Sequence, residues 1–345
     1  MKYTLFCIFC FLLGTCTDKA EDKKKQALEN IALSPIKTLD RISDSILIGQ
    51  LSSITSQDDV IMLADGQNSR VLVTDENFKL QHILGKSRGT GPGEFNYSCN
   101  PIINGNKIYI YDQGNQRINI FNKNTGKFIK NIKLAERLLS VSYKYFLDDI
   151  NNIYFATDPQ TDGKMLLKLD SNGKVIKRFG GILIKSTNVQ EQMNSNYREM
   201  AMAKNRIVSV AVSLGIVEIF DLEGNKINSF DISTIEPIKT TQKLVQEDIK
   251  KNPASITVMN QYCYVRGDKL YIGISDRSIE NNTKTKDILV FNWSDKHCEL
   301  IKTIKLQTNK TDNGVGYEPL YLTEDQKTIY AQGVMTKNLY IFNMP

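Results

Sequence analysis

One pattern recurs six times along the chain. Residues 65–75 (DGQNSRVLVTD) return as residues 112–122 (DQGNQRINIFN), and every matched residue is displaced by 47 positions. The end of the pattern, an apolar residue followed by Asp or Asn, returns at four more places, so that successive intervals are 47, 48, 51, 71 and 51 residues. A period of this length is typical of repeats that bury their faces only against one another. The sequence therefore predicts six units, one of which carries roughly 20 extra residues.

Each unit reads as a set of short strands. Residues 107–111 (KIYIY) and 117–121 (RINIF) are wholly or alternately apolar, and Gly, Asn and Asp fill the turns between such runs. We therefore expect an all-β, six-bladed β-propeller, formed by residues 31–345 as a single domain. The last unit stops at Pro345 after its third strand, so we expect an N-terminal strand around residues 35–39 to complete that blade and close the ring.

The first residues read as a secretory signal. Lys2 is followed by an apolar run over residues 3–13, which is too short to span a bilayer as a helix. The sequence therefore predicts a signal peptide over residues 1–15.

The residues that follow resemble a bacterial lipobox, in which a peptidase cuts before a cysteine that then carries acyl chains. The run LGTC ends at Cys16, and residues 17–25 (TDKAEDKKK) are polar and charged. We expect lipidation of Cys16, a solvated tether over residues 16–30 and an outer-membrane lipoprotein that faces the periplasm or the cell surface. The alternative is an ordinary cleaved signal with an incidental cysteine.

Charge and histidine content exclude several classes of function. Lys plus Arg number 44 and Asp plus Glu 38, and both signs are scattered along the chain, which argues against a nucleic-acid partner. The chain has only two histidines, His82 and His297, so a site with several histidine ligands is impossible. Neither histidine stands in a recognisable catalytic motif.

Three cysteines belong to the expected propeller, namely Cys99, Cys263 and Cys298. An odd number leaves at least one thiol free. The sequence leaves two alternatives: a disulfide from Cys99 or Cys263 to Cys298, or buried free thiols.

Two of the units carry a more specific resemblance. Residues 85–95 (GKSRGTGPGEF), Pro101, residues 108–112 (IYIYD) and residues 115–118 (NQRI) resemble the NHL repeat. The whole arrangement is similar to the TolB-like six-bladed propeller lipoproteins of Gram-negative, Bacteroides-type bacteria, closely over residues 57–134. The resemblance implies a six-bladed ring, a lipid anchor and use as a binding platform or, in some branches, as a lactonase or lyase.

Two local motifs have a structural and a functional interpretation. The glycines of residues 89–93 favour a tight passage between two blades, with Phe95 packed between them, over an anion-binding loop, because no helix follows. The repeated Asp-x-x-Asn-x-Arg motif, as in Asp65, Asn68 and Arg70, favours hydrogen bonds across a hairpin with Asn in the left-handed position, over a ligand role for Arg.

Long segments without a strand pattern are expected to lie on one face of the ring, around the mouth of the channel. These segments are residues 185–204, 234–264, 278–286 and 307–325. Residues 240–251 have helix-like apolar spacing and predict a short amphipathic helix that caps this face.

Side chains in or beside these segments suit stacking on sugars or binding of carboxylates. With two residues of the glycine-rich segment, the candidate ligand-binding residues are Arg88, Glu94, Tyr197, Arg198, Tyr262, Tyr264, Arg266 and Tyr317. The alternative is that the tyrosines simply cover the inner strands of the blades.

The sequence supports two functions that belong to different classes. The favoured one is a lipid-anchored cell-envelope module that binds or scaffolds a glycan, peptide or partner protein through its loop-rich face, without a cofactor or metal. The alternative is a hydrolase or lyase that holds Ca²⁺ with carboxylates in the central channel. The absence of a compact catalytic motif favours the binding module.

Overall fold

The computed structural model describes residues 28–85, 87–138, 144–157, 162–203, 205–253, 257–275, 285–307 and 316–345. The predicted signal peptide, Cys16 and nearly all of the predicted tether lie outside the described residues, as does most of the predicted loop at residues 278–286.

The described chain forms six blades arranged as a propeller, which confirms the predicted fold. The first four blades are separate four-stranded sheets, whereas the last two are joined into one nine-stranded sheet by the pairing of Thr285 with Tyr317. Four short strands come first: β1 (Glu29–Leu33), β2 (Lys37–Leu39), β3 (Arg41–Ser43) and β4 (Ile46–Leu47). Blade 1 is β5 (Leu51–Gln57), β6 (Val60–Asp65), β7 (Arg70–Asp75) and β8 (Leu80–Leu84). Blade 2 is β9 (Ser98–Asn104), β10 (Lys107–Asp112), β11 (Arg117–Asn122) and β12 (Phe128–Lys133). Blade 3 is β13 (Tyr145–Leu147), β14 (Ile153–Ala156), β15 (Lys164–Leu169) and β16 (Val175–Gly181).

The second half repeats the plan with longer connections. Blade 4 is β17 (Arg198–Ala203), β18 (Arg206–Ala211), β19 (Ile216–Asp221) and β20 (Lys226–Asp231). Blade 5 is β21 (Asn260–Arg266), β22 (Lys269–Ser275), β23 (Thr285–Trp293) and β24 (Cys298–Leu306). Blade 6 is β25 (Tyr317–Leu322), β26 (Thr328–Gly333) and β27 (Leu339–Asn343), completed by β2. The helices α1 (Val189–Asn196) and α2 (Ile238–Lys251) precede blades 4 and 5, and α2 confirms the predicted helix and accounts for the extra residues of that unit.

Within each blade the chain runs from the innermost strand outward through antiparallel hairpins. Burial is lowest at the outer edge, since the second strand β6 is buried at all six residues whereas the outermost strand β12 is buried only at Ile132. Neighbouring blades pack through aromatic pairs: the ring centroids of Phe179 and Phe220, in blades 3 and 4, are 5.3 Å apart. The core is therefore a series of contacts between adjacent sheets.

The N-terminal strands close the ring. Strand β2 pairs antiparallel with β27, with Lys37 opposite Ile341 and Leu39 opposite Leu339, which confirms the predicted closure. Strand β1 adds a further edge strand, parallel to β24, to blade 5, and it begins at Glu29, just before the predicted domain start. The two strands cover the edges of two consecutive blades.

The two ends of the channel differ. We call the end where the innermost strands begin the connection face, since the links between blades and both helices lie there, and the opposite end the hairpin face. The predicted long segments 185–204, 234–264 and 307–325 are not loops throughout, because they contain the innermost strands β17 and β25 and most of β21. No helix among the described residues is long and apolar enough to cross a membrane.

Candidate functional site: a cavity in the central channel

A cavity of about 370 Å³ lies on the axis of the ring, at the hairpin face. All six innermost strands contribute wall residues at or beside their last positions, namely Gln57, Asn104, Leu147, Met202, Arg266 and Glu324. Its volume lies in the range of small-molecule sites. The cavity is at the opposite end of the channel from the long connections.

Lys144 lies in the cavity wall immediately before β13 and is 7% exposed. Its Nζ donates a hydrogen bond to the backbone oxygen of Cys263 at 2.7 Å. The same Nζ is 3.6 Å from the ring centroid of Tyr264 and 5.7 Å from that of Tyr262. The ammonium group is therefore held by an oxygen of blade 5 and by two aromatic faces.

Burial lowers the pKa of Lys144 from 10.5 to about 8. The charge of Arg266 acts in the same direction as burial, while Cys263 and the buried Glu199 act in the opposite direction, and the value of about 8 includes all of these effects. The wall of the cavity thus carries a buried positive charge, whose removal from water is unfavourable.

Arg266 also lines the cavity but uses its donors within the fold. Its Nη2 donates to the oxygen of Leu322 at 2.8 Å, and its Nη1 lies 3.0 Å from a carboxylate oxygen of Glu324. The guanidinium carbon is 5.2 Å from the ring centroid of Tyr264 and 5.6 Å from that of Tyr321. Arg266 therefore joins blade 5 to blade 6 and adds positive charge to the wall, but its N–H donors are already used within the fold.

Tyrosines form one side of the cavity. Tyr264 donates its hydroxyl hydrogen to the oxygen of Leu320, and Tyr321 donates to the oxygen of Ser56 at 2.6 Å. Burial raises the pKa of Tyr264 well above 10.0 and also raises the pKa of Tyr321, so both remain neutral. They supply an apolar wall with fixed orientation.

Carboxylates lie towards the mouth. Asp149 is exposed, and the side chain of Glu324 is 68% exposed beside Arg266. Asp148 accepts hydrogen bonds from the backbone of Asn152 at 2.7 Å and from the hydroxyl of Tyr154 at 3.0 Å, so it stabilises a turn. The cavity is thus cationic in its buried part and acidic at its rim.

The remaining candidates from the inner strands do not reach this cavity. Tyr197 is buried against Val212 and Val258, and Tyr317 is fully buried with its hydroxyl donated to the oxygen of Gln307 at 2.8 Å. Arg198 is fully buried, with its Nη2 3.2 Å from an oxygen of Glu218. Of the six inner-strand candidates, only Tyr264 and Arg266 line the cavity, and Tyr262 packs beside Lys144.

The glycine-rich segment connects blade 1 to blade 2. Glu94 accepts hydrogen bonds from the amide of Gly91 at 2.8 Å and from the hydroxyl of Ser87 at 2.9 Å. Arg88 donates to the side chain of Asn96 at 3.0 Å. Phe95 is fully buried among residues of both blades, which confirms the structural interpretation of this segment.

The repeated Asp-x-x-Asn-x-Arg motif forms the predicted hairpin bonds. Asp65 accepts from Asn68 at 2.8 Å and from Arg70 at 2.9 Å, and the copy in blade 2 does the same. The left-handed position was predicted wrongly: Ser69 and Gln116 have φ of 51° and 50°, one residue after the asparagines. The asparagine side chain instead donates its amide hydrogen to the aspartate.

The described residues contain neither a disulfide nor a cluster of metal-ligating side chains. Cys99, Cys263 and Cys298 are free thiols, so neither disulfide left open by the sequence is formed. Within the described ranges no group of three or more His, Cys, Asp and Glu residues is placed to hold a metal ion.

Sequence reasoning missed Lys144 and Tyr321, which line the cavity. Tyr321 lies within a segment interpreted as a loop. Lys144 directly precedes the apolar run of β13, and a lysine at that place is the one signal that could have drawn attention to it.

Comparison with solved structures agrees with the fold. A protein from Bacteroides fragilis inferred to be exported is similar at a TM-score of 0.57 and 11% identity, over 91% of this chain and 98% of that one. A member of the DUF4221 family from Bacteroides vulgatus is similar at a TM-score of 0.55 and 12% identity, over 90% and 97% of the two chains. These likenesses concern the fold alone.

No curated protein matches this chain. Residues 17–286 match the sequence model of DUF5128, described as a six-bladed β-propeller. This range covers well over half of the chain and blades 1 to 4 in full. The chain therefore belongs to the DUF5128 family of six-bladed β-propellers.

Proposed function

We propose that this chain is a lipid-anchored binding module of the cell envelope whose channel cavity receives the carboxylate of a glycan or a peptide. The observation that carries the proposal is the buried ammonium of Lys144, which lines the cavity and lies 3.6 Å from the ring centroid of Tyr264. A positive charge in the wall of a cavity attracts a negatively charged ligand, so the position of this ammonium favours an anionic ligand.

The rest of the cavity suits the same ligand class. Tyr264 and Tyr321 give an apolar wall against which a sugar ring or a peptide group can pack. Asp149 and Glu324 at the rim would repel a polyanion, so the favoured ligand carries its negative charge at the end that enters. A partner protein would satisfy this pattern through a terminal or side-chain carboxylate.

Replacing Lys144 with methionine is expected to weaken carboxylate binding by at least about tenfold, since a hydrogen bond to a charged group contributes roughly 1.5–3 kcal/mol. Isothermal titration with D-galacturonate and with N-acetylglycine measures the effect. The uncharged counterparts, D-galactose and N-acetylglycinamide, separate carboxylate recognition from general affinity. Lys239→Met, an exposed lysine on α2 at the connection face, is the matched control.

The pH dependence of the wild-type chain gives a readout that needs no variant. Lys144 carries its charge below about pH 8 and loses it as the pH rises, so affinity should fall above that pH by up to about tenfold per unit. Equal affinity for the charged and uncharged members of each pair, or a flat profile, would contradict the proposal.

The cell-envelope location rests on the lipobox resemblance at Cys16, and the export inferred for the Bacteroides fragilis neighbour supports it. The kinship with NHL and TolB-like propellers is part of the same proposal and rests on residues 57–134. Cys16→Ser is expected to move the protein from the membrane fraction to the soluble fraction while its melting temperature stays unchanged. Retention of the variant in washed membranes would count against the anchor.

A further inference from the structure

A second concave site lies on the side wall of the ring, between blades 3 and 4. This groove has a volume of about 380 Å³ and is walled by β15, β16, β19 and the start of β20. We propose that this groove, which we call the basic groove, binds an acidic oligosaccharide through Lys164, Lys177 and Lys226. The proposal is independent of the channel cavity, since the two sites share no residue.

The groove carries an excess of positive charge. Lys164 and Lys177 make no ion pair within the described part of the chain, and Lys177 donates a hydrogen bond to Asn225 at 3.2 Å. Lys226 is 3.3 Å from Glu218, and Glu218 is the sole carboxylate among the described residues of the groove wall. Arg178 adds no net charge, because its guanidinium is paired with Glu136.

A buried cation behind the wall strengthens this potential. The fully buried Arg198 lies 3.2 Å from Glu218 and donates to the oxygen of Gly181 at 3.0 Å, and both of these partners line the groove. One carboxylate therefore faces Arg198 and Lys226 together. Lys164 and Lys177 make no ion pair within the described residues, and Lys177 interacts only at longer range with Asp221. The basic groove accordingly favours a ligand with more than one negative charge.

The space in the groove depends on Gly181. The backbone of Gly181 has no positive φ, and no atom lies within 4 Å of the place that a Cβ would take. Neither backbone strain nor a close neighbour therefore requires glycine there. A side chain at this position would occupy the groove instead.

Shape and chemistry together indicate the ligand class. The floor of the basic groove is formed by backbone and by buried Phe179 and Phe220, so the site is concave rather than a flat basic surface. Lysines are compact point charges on flexible stems and can follow sulfate or carboxylate groups along a chain. A sugar chain with anionic substituents fits such a groove, whereas a lipid surface needs a convex or flat contact.

Titration with dextran sulfate and with dextran of matched chain length tests the proposal. Wild-type protein should bind only the sulfated chain, and the affinity should fall as salt rises because the contacts are exposed. Lys164→Gln with Lys177→Gln should weaken binding by about tenfold, since each exposed ion pair contributes up to roughly fivefold. Gly181→Met keeps every charge and should also weaken binding, because its side chain fills the groove.

Lys130→Gln with Lys133→Gln is the matched control, because both lysines are exposed on the outermost strand of blade 2. This double variant should bind dextran sulfate as the wild type does. Equal losses in the control and groove variants would overturn the proposal, since binding would then follow net charge. Binding to phosphatidylglycerol vesicles without affinity for dextran sulfate would overturn it in favour of a membrane contact.

Discussion

Deletion of residues 26–42 is expected to destabilise the whole propeller cooperatively, by an amount on the order of 5 kcal/mol. The deletion removes β1 and β2, and with them the buried side chain of Leu33 and the partly buried Ile31, Leu39 and Ile42. Returning each such side chain to water costs roughly 1–2 kcal/mol, and the edges of β24 and β27 lose their backbone partners. Thermal and urea unfolding of the truncated protein measure the loss.

Two further truncations sharpen this experiment. Deletion of residues 17–25, expected from composition to be tether, should change the stability by less than about 0.5 kcal/mol. Deletion of residues 26–34 removes β1 but keeps β2, so blade 6 remains complete and the loss should be intermediate. Equal melting temperatures for all three truncations would show that the N-terminal strands do not stabilise the ring.

Glu218→Gln is expected to cost about 3–5 kcal/mol, because it leaves the guanidinium of Arg198 buried without its carboxylate. The side chains of Arg198 and Glu218 are 0% and 4% exposed, and they lie 3.2 Å apart. Arg198→Met should cost less, since Glu218 keeps Lys226 at 3.3 Å. Urea unfolding of the two single variants measures this asymmetry.

The chain offers a matched exposed pair as the control. Arg206 and Asp295 lie 2.8 Å apart with side chains 33% and 36% exposed, so Asp295→Asn should cost no more than about 1 kcal/mol. The double variant Arg198→Met with Glu218→Met should recover part of the loss, because no buried charge is left alone. A cost for Glu218→Gln as small as that for Asp295→Asn would mean that water or a counter-charge reaches Arg198.

The repeat predicts the number of blades because turns and outer strands carry its pattern. Asp75, Asn122 and their later counterparts mark the end of the third strand in every blade, and the pattern returns after α2 even though the interval there lengthens to 71 residues. The closing strand was also predictable, because the last unit is one strand short. These features are local in sequence, and local patterns are what a single sequence carries.

The innermost strands of blades 4 to 6 could not be predicted in the same way. Strands β17 (REMAMA), β21 (NQYCYVR) and β25 (YEPLYL) mix charged, small and aromatic side chains, because they face the channel, the neighbouring blades and buried polar groups at once. Apolar and polar residues do not alternate regularly along these strands, as they do in a strand with one buried and one exposed face. They were therefore interpreted as loops, and of the candidate residues named in or beside them only Tyr264 and Arg266 line the cavity.

The channel cavity escapes sequence reasoning for a different reason. Its wall joins the ends of six strands that are far apart along the chain, from Gln57 to Glu324. The lowered pKa of Lys144 arises mainly from burial, which only the closed ring produces. A local motif cannot encode such a site.

The parallel pairing of β1 with β24 determines how the ring would bear mechanical load. Five register pairs, from Glu29 opposite Lys302 to Leu33 opposite Leu306, run along the strand axis, and the chain enters them at the hairpin face. A pull on the N-terminal end directed away from that face would load all the bonds between β1 and β24 in shear at once, rather than opening them one by one. Any tension that passed β1 would next meet β2 in blade 6, so the two blades nearest the ring closure would share the force.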